Sequence, residues 1–288
     1  MIWLWCTRVV WALLPITTGT ALGDATSSWS TAPARLAAVA LWLVWAAGLL
    51  ALFAPRPAGL TLLRVVAPCG WLCVMLSVTS TSAGSATIAI AGGGIAAALA
   101  LSAPVATATA NALAYGDEQR FVLRIPMPLL LGPVPVAVLL AGAGVATGPL
   151  LLADGRYVGG ALATVVGLPV AALVVRALHP LASRWFVLVP AGIAIADPLT
   201  LTEPVLVRRE HISALGRVRD TGALGPDALD LRLGTLAGSV AIDLSDEVEF
   251  GRRRGRGNAE IVTPNRIAVA VVRADAAIAS ARTRRIRA

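Results

Sequence analysis

The composition of this chain breaks once, at residues 179–184, and that break constrains the fold more than any motif. From residue 2 to residue 178, apolar and small residues run on with only brief polar interruptions; beyond 184 the pattern is charged and alternating. Soluble domains carry about 25% charged residues, whereas this chain of 288 residues carries 14%. No single water-soluble core hides that much apolar surface. The expected fold class is therefore a membrane α-helical bundle of about six spans over residues 1–178. A C-terminal β-rich domain follows over residues 179–288.

A spanning helix needs about 20 mainly apolar residues. Six stretches approach this, at roughly 9–22, 36–53, 65–80, 86–113, 129–153 and 158–178. The first and third are short, and the fourth is rich in Ala, Gly and Thr, so a count of five also stands. The start offers a second reading, a signal peptide ending near Gly23-Asp24-Ala25. Its only early cation is Arg8 and its first residues are Trp-rich, which favours an uncleaved first span.

Arginine distribution sets the expected orientation, because cytoplasmic loops hold an excess of cations. Arg56 and Arg64 follow the second span, Arg120 and Arg124 the fourth, and Arg176 and Arg184 the sixth, whereas the opposite loops hold Arg35 and Arg156. Both termini and the C-terminal domain are thus expected in the cytoplasm of a multipass plasma-membrane protein. The net charge is +8 and every basic residue is Arg, a genome-composition signature rather than a chemical one.

No Asp or Glu falls inside an expected span. Coupled carriers usually place ionisable or liganding groups near the midplane, so this pattern argues against, without removing, a transporter. Gly92-Gly93-Gly94 with Pro104, and Pro133, Pro135 and Pro149, suit either a broken-helix substrate path or close helix packing, and packing is the simpler reading. Cys69 and Cys73 share a helical face, but apolar surroundings keep thiols inert. No HExxH or GxSxG motif is present, and no cofactor or metal site is expected. Asn111 is expected to make an interhelical hydrogen bond.

The densest polar stretch of the membrane half is 115–126. Asp117, Glu118, Arg120 and Arg124 alternate there with Phe121, Leu123 and Ile125. Three readings stand: an element lying along the bilayer surface, a segment docked on the C-terminal domain through charge pairs, or a solvated loop that helps fix topology.

In the last third, 185–189 reads as a strand, Pro190-Ala191-Gly192 as a turn, and 193–196 as the returning strand. Further strands are expected at 205–208, 212–218, 229–233, 239–244 and 261–263, followed by an Ala-rich helix over 266–285. This order of antiparallel strands, the opening Arg184–Ile193 hairpin and the closing helix resemble a small bacterial pleckstrin-homology-like domain. The whole chain resembles uncharacterised multipass membrane proteins of actinobacteria carrying such a domain, chiefly through Pro55-Arg56-Pro57-Ala58-Gly59-Leu60 and the 115–126 segment. The resemblance implies layout and location, not activity.

Two basic clusters are the candidate contact residues: Arg252, Arg253, Arg254 and Arg256, and Arg282 with Arg284, Arg285 and Arg287. Polybasic segments are drawn to anionic leaflets at about 1 kcal/mol per cation; the bland alternative is a solvated loop and a frayed tail. Nucleic acid is not an expected partner, since the clusters lack interleaved aromatics and Asp243, Asp246, Glu247 and Glu249 precede the first. His179 and His211 stand isolated from other ligands. The expected function is a non-enzymatic membrane scaffold or regulator. Its expected partners are the bilayer, anionic lipid headgroups or a membrane protein. The alternatives are a transporter component, with a polar cavity at mid-depth, and an enzyme of lipid or envelope metabolism using Asp117 and Glu118.

Overall fold

The computed structural model describes residues 2–218, 224–255 and 258–286. The chain divides into two compact units, Met1–Thr109 with Gly132–Ala182, and Ala110–Leu131 with Ser183–Ala288. A single cut at residue 178 therefore misses one feature: the segment between the fourth and fifth spans belongs to the C-terminal unit.

The first unit is helical: α1 (Ile2–Thr26), α2 (Thr31–Phe53), α3 (Pro57–Ser77), α4 (Ala83–Leu101) and the start of α5 (Ala103–Asn111). After the excursion into the second unit, which includes the short α6 (Met127–Leu131), come α7 (Pro133–Ala153) and α8 (Tyr157–Leu178). Among the described residues, six helical stretches are long and apolar enough to cross a membrane: Ile2–Thr26, Thr31–Phe53, Pro57–Ser80, Ala83–Leu101, Met127–Ala153 and Tyr157–Ala182. The fourth is shorter than expected. Pro104 cannot donate to the carbonyl of Ala100, so the helix stops at Leu101 and Ser102 turns extended. The Ser102 hydroxyl then accepts from the Val105 N–H to start α5.

Proline also shapes the α1–α2 contact. Pro15 lacks the N–H that the carbonyl of Trp11 would otherwise receive, and an orphaned carbonyl is costly in an apolar setting. Trp45 Nε1 fills the gap, donating to Trp11 O at 2.9 Å, while Trp11 Nε1 donates to Trp45 O at 2.9 Å. The Trp11 ring lies on Gly48, where a Cβ would collide with it. At the other end of this pair, Arg8 donates to the last-turn carbonyl of Leu52 at 2.9 Å and stacks over Trp5 and Phe53. α7 and α8 approach closely through Gly144 against Gly167 and Gly148 against Thr164, the small-residue contact typical of membrane helices.

Among its described residues the second unit holds ten strands. β1 (Gln119–Val122), β2 (Trp185–Val189), β3 (Gly192–Ala196) and β4 (Val205–Arg208) form an antiparallel meander. Within the expected hairpin Val189 faces Gly192, where a Cβ would strike the carbonyl of Val207 on β4. A second sheet runs β5 (Ile212–Arg217), β7 (Ser239–Leu244), β10 (Arg266–Ala270), β6 (Ala228–Asp230). β8 (Phe250–Arg254) and β9 (Asn258–Val262) form a separate hairpin, and α9 (Ala274–Thr283) closes the chain. The sheets enclose one core that includes Phe121, Leu123, Phe186, Ile195, Val240 and Ile267, with Ala277, Ile278 and Ala281 of α9 packed in.

Three expectations are corrected. The strands are not all antiparallel, because β10 pairs with β6 in parallel. The helix expected over 266–285 is a strand followed by a ten-residue helix: β10 is buried from Ile267 to Ala270 on both faces, so it lacks the alternation that marks a half-buried strand. The strand expected over 229–233 ends at Asp230, whose carboxylate captures the Arg232 N–H at 2.9 Å and turns the chain.

Candidate functional site

The first basic cluster lies on β8. Arg252, Arg253 and Arg254 are exposed, and Arg256 lies outside the described residues. The β8–β9 hairpin stands apart from both four-stranded sheets and is tied down at its base. Thr202 N donates to Gly251 O, and Arg253 N to Thr200 O. Leu201 bridges to Arg252. A Cβ at Gly251 would meet the Thr202 hydroxyl, which would have to turn aside. The side chains differ in freedom. Arg253 Nε donates to Leu201 O at 2.9 Å, and Arg254 Nε meets Glu260 Oε2 at 2.6 Å across the hairpin. Opposite Gly251, the large aliphatic side chain of Ile261 is 71% exposed.

Beside the hairpin is a polar cleft of about 560 Å³, lined among others by Arg252, Asp227, Ser245, Asp246, Glu247 and Asn265. His211 approaches it: Nδ1 lies 3.0 Å from Asp246 Oδ2, the same oxygen that accepts from the Ser245 hydroxyl at 3.0 Å. The hydroxyl and the imidazole thus share one acceptor. The hydroxyl also reaches Glu210 O at 3.2 Å, so its one proton has two acceptors. Among the described residues, no group of three or more His, Cys, Asp or Glu side chains is placed to hold a metal ion.

The second cluster is on α9. Arg284 is half-buried and Arg285 exposed, where the helix ends in a left-handed turn. Arg285 has φ 58°, and Ile286 N returns to Ala281 O at 3.1 Å. That is the capping pattern in which the following apolar residue, here the buried Ile286, packs back on the helix. Arg282 lies one turn earlier, and Arg287 lies outside the described residues. The structure puts the two clusters on different elements; α9 packs on β2 and β5, whereas the hairpin rests on the turn around 200–202.

The four residues singled out in 115–126 are part of the C-terminal unit. Gln119–Val122 is edge strand β1, in register with Trp185–Leu188 of β2. Leu123 bridges to Val271, and Arg124 N donates to Ala270 O at 2.7 Å. The segment thus joins the first sheet to the end of β10, and its docked reading is the one the structure adopts. Charge pairs are a minor part of that docking. Arg120 lies over the Trp185 ring at 4.7 Å and bonds Glu118 at 3.1 Å. Burial pushes the Glu118 carboxyl up, but the Arg120 bonds and the Tyr115 N–H outweigh it and hold the group below the usual carboxylate range. Asp117 is exposed. Asn111 grips the strand: Nδ2 donates to Arg120 O at 2.7 Å and Oδ1 accepts from Arg120 N at 3.0 Å.

Sequence reasoning missed the most buried ion pair among the described residues. Arg184 and Asp197 form a bidentate pair at 2.8 and 2.7 Å with side chains 1% and 0% exposed. Arg184 Nη1 also donates to Arg124 O at 2.8 Å, locking the end of β1 to the start of β2. The only sequence signal was Arg184 directly before a strand, where it was counted as a topology cation. Cys69 is a packing group: its Sγ lies 3.4 Å from Val138 O, and Gly142 leaves room for it. Comparison with known proteins finds no matching family model, no curated relative and no similar solved structure.

Proposed function

We propose that this is a non-enzymatic membrane adaptor or regulator whose C-terminal unit, on the cytoplasmic side, contacts anionic lipid headgroups through the β8–β9 hairpin. One observation carries the reading: three exposed arginines and the exposed Ile261 share a hairpin that neither four-stranded sheet uses. Each cation near an anionic leaflet contributes about 1 kcal/mol. An exposed pair such as Arg254–Glu260 is worth only about 0–1 kcal/mol, so Arg254 can exchange that single bond for a bidentate one to a phosphate. The aliphatic Ile261 suits the acyl boundary beneath the headgroups.

Two further features support the reading. At Asp246 the imidazole and the Ser245 hydroxyl meet one carboxylate oxygen, which is not the serine-to-imidazole bond of an activated serine. The cavity among α1–α4 is lined almost wholly by apolar groups, whereas a solute path calls for polar ones. Two sheets with a closing helix are compatible with a pleckstrin-homology-like unit, although the parallel β6–β10 pair departs from the all-antiparallel pattern.

Hydrogen exchange of residues 250–262 in the full chain, held in nanodiscs, tests the proposal. Protection in anionic over zwitterionic discs is expected, erased by high salt and reduced by Arg252→Gln with Arg254→Gln. Equal exchange in both lipids at low salt refutes it.

A further inference from the structure

The helical unit contains a cavity of about 240 Å³ bounded by α1, α2, α3 and α4. Its walls include the rings of Trp11, Trp42, Trp45 and Trp71. The indole donors of three of these are already spent on backbone: Trp11 on Trp45 O, Trp45 on Trp11 O, and Trp71 on Ile90 O at 3.1 Å. The two hydroxyls in the wall are spent as well, Thr18 on Leu14 O at 2.8 Å and Thr26 on Leu22 O at 3.0 Å. These groups offer an occupant ring faces and methyl groups in place of hydrogen-bond donors. Such cavities exclude water and take apolar guests.

The glycines of the wall give a second, independent observation. Some helical glycines are forced by contact, as at Gly48 under Trp11 or Gly148 against Thr164. Gly19, Gly23 and Gly70 line the cavity, and a Cβ at any of them would meet nothing within 4 Å. Packing within this chain does not demand glycine at these positions, and glycine inside a helix is unfavourable relative to alanine. Their effect is to keep the space open. At membrane depth the abundant apolar guest is hydrocarbon chain.

We infer that the cavity bounded by α1–α4 is a binding site for one acyl chain of a membrane lipid. The site is independent of the headgroup contact proposed for the C-terminal unit. It lies toward the end of the bundle where α1 meets α2, since its α1 wall reaches Thr26 and its α2 wall begins at Ala38. At that end Thr81 Oγ1 donates to Asp24 Oδ2 at 2.6 Å, a polar rim beyond the apolar interior.

The test uses the full chain in nanodiscs doped with a phosphatidylcholine carrying a diazirine on one acyl chain. Adducts are mapped by mass spectrometry after illumination. Adducts concentrated on Trp45, Gly70 and Trp71, above those on the outward face of α8 at Leu162 and Val165, are expected. Gly19→Leu with Gly70→Leu fills the cavity. With no room left for a chain, cavity adducts should be lost to the level of the α8 sites or below, with α8 adducts unchanged. Gly159→Leu, on α8 in open space away from the cavity, is the control and should change neither. Cavity labelling no higher than that of α8 in the natural chain overturns the proposal whether or not the filled variant folds. Undiminished cavity labelling in a folded filled variant overturns it too.

Discussion

Removing the Phe121 ring should cripple the C-terminal unit even though Phe121 lies more than 60 residues before Trp185. Phe121 is 4% exposed, packs edge-to-face on Phe186 with centroids 6.4 Å apart, and sits in the main core cluster. Truncating a buried Phe to Ala costs about 3–5 kcal/mol, against a total of about 5–15 kcal/mol for a domain. Leu123, 1% exposed in the same cluster, adds about 2–5 kcal/mol when truncated, and the two neighbours need not add linearly. The assay uses a soluble chain in which residues 110–131 are joined by a Gly/Ser linker to 183–288. Trp185 is then its only tryptophan, and the stacked Arg120 makes its fluorescence a direct report of β1 docking. Urea unfolding should show one cooperative transition, shifted down by about 3–5 kcal/mol in Phe121→Ala. Residues 183–288 alone should show a weak transition or none. An unchanged midpoint for 183–288 without the joined segment would refute the assignment of β1 to this core.

Two further expectations use the same soluble chain. Arg184→Met leaves Asp197 buried without its cation and should cost about 3–5 kcal/mol; adding Asp197→Leu should recover much of that loss in urea unfolding, and no recovery would show that the pair acts through shape alone. Burial pushes the Asp230 carboxyl up, but the Arg232 side chain and backbone bonds outweigh it and hold its pKa below the ordinary Asp value. A carboxyl depressed on folding contributes stability that is present above its unfolded pKa, near 4, and lost as pH falls through the folded value. Stability should therefore drop below about pH 4, less steeply in Asp230→Asn, and equal acid slopes in the two proteins would remove Asp230 from the cause.

The legible parts of this fold are those where one environment acts on a whole stretch. Long apolar helices and the Trp185–Ala196 hairpin advertise themselves through run length, alternation and a turn with glycine at its end. β10 did not, because a strand buried on both faces and built from Ile, Ala, Val and Ala carries no period that distinguishes it from an Ala-rich helix. β8 hid for the opposite reason: its Arg252-Arg253-Arg254 run reads as solvated loop, and only the pairing with Asn258–Val262 makes it a strand. The Arg184–Asp197 pair was illegible because two residues 13 apart gain meaning only when a hairpin folds one onto the other. Of the candidate site, the arginines were readable as a charge run. Their fates were not: the partners of Arg253 and Arg254 are a carbonyl at 201 and a carboxylate at 260.

β1 also constrains how the chain is threaded. It lies between the fourth and fifth candidate spans, and β2 follows the sixth. Strands in one antiparallel pair occupy one side of a membrane, because an open sheet does not cross it. An even number of crossings must therefore separate Val122 from Trp185, and the stretches built on α7 and α8 supply two. A five-span count that lost either of these would tear β1 from β2; one that lost the first or third span would leave the pairing intact. The doubt raised by short apolar runs thus falls only on the first four spans. There helix length answers it: α1 runs 25 residues and α3 runs 21, each enough for a hydrocarbon core about 30 Å thick at about 1.5 Å per residue. The β1–β2 pairing thus holds the loop after the fourth candidate span and the strands after the sixth in one sheet.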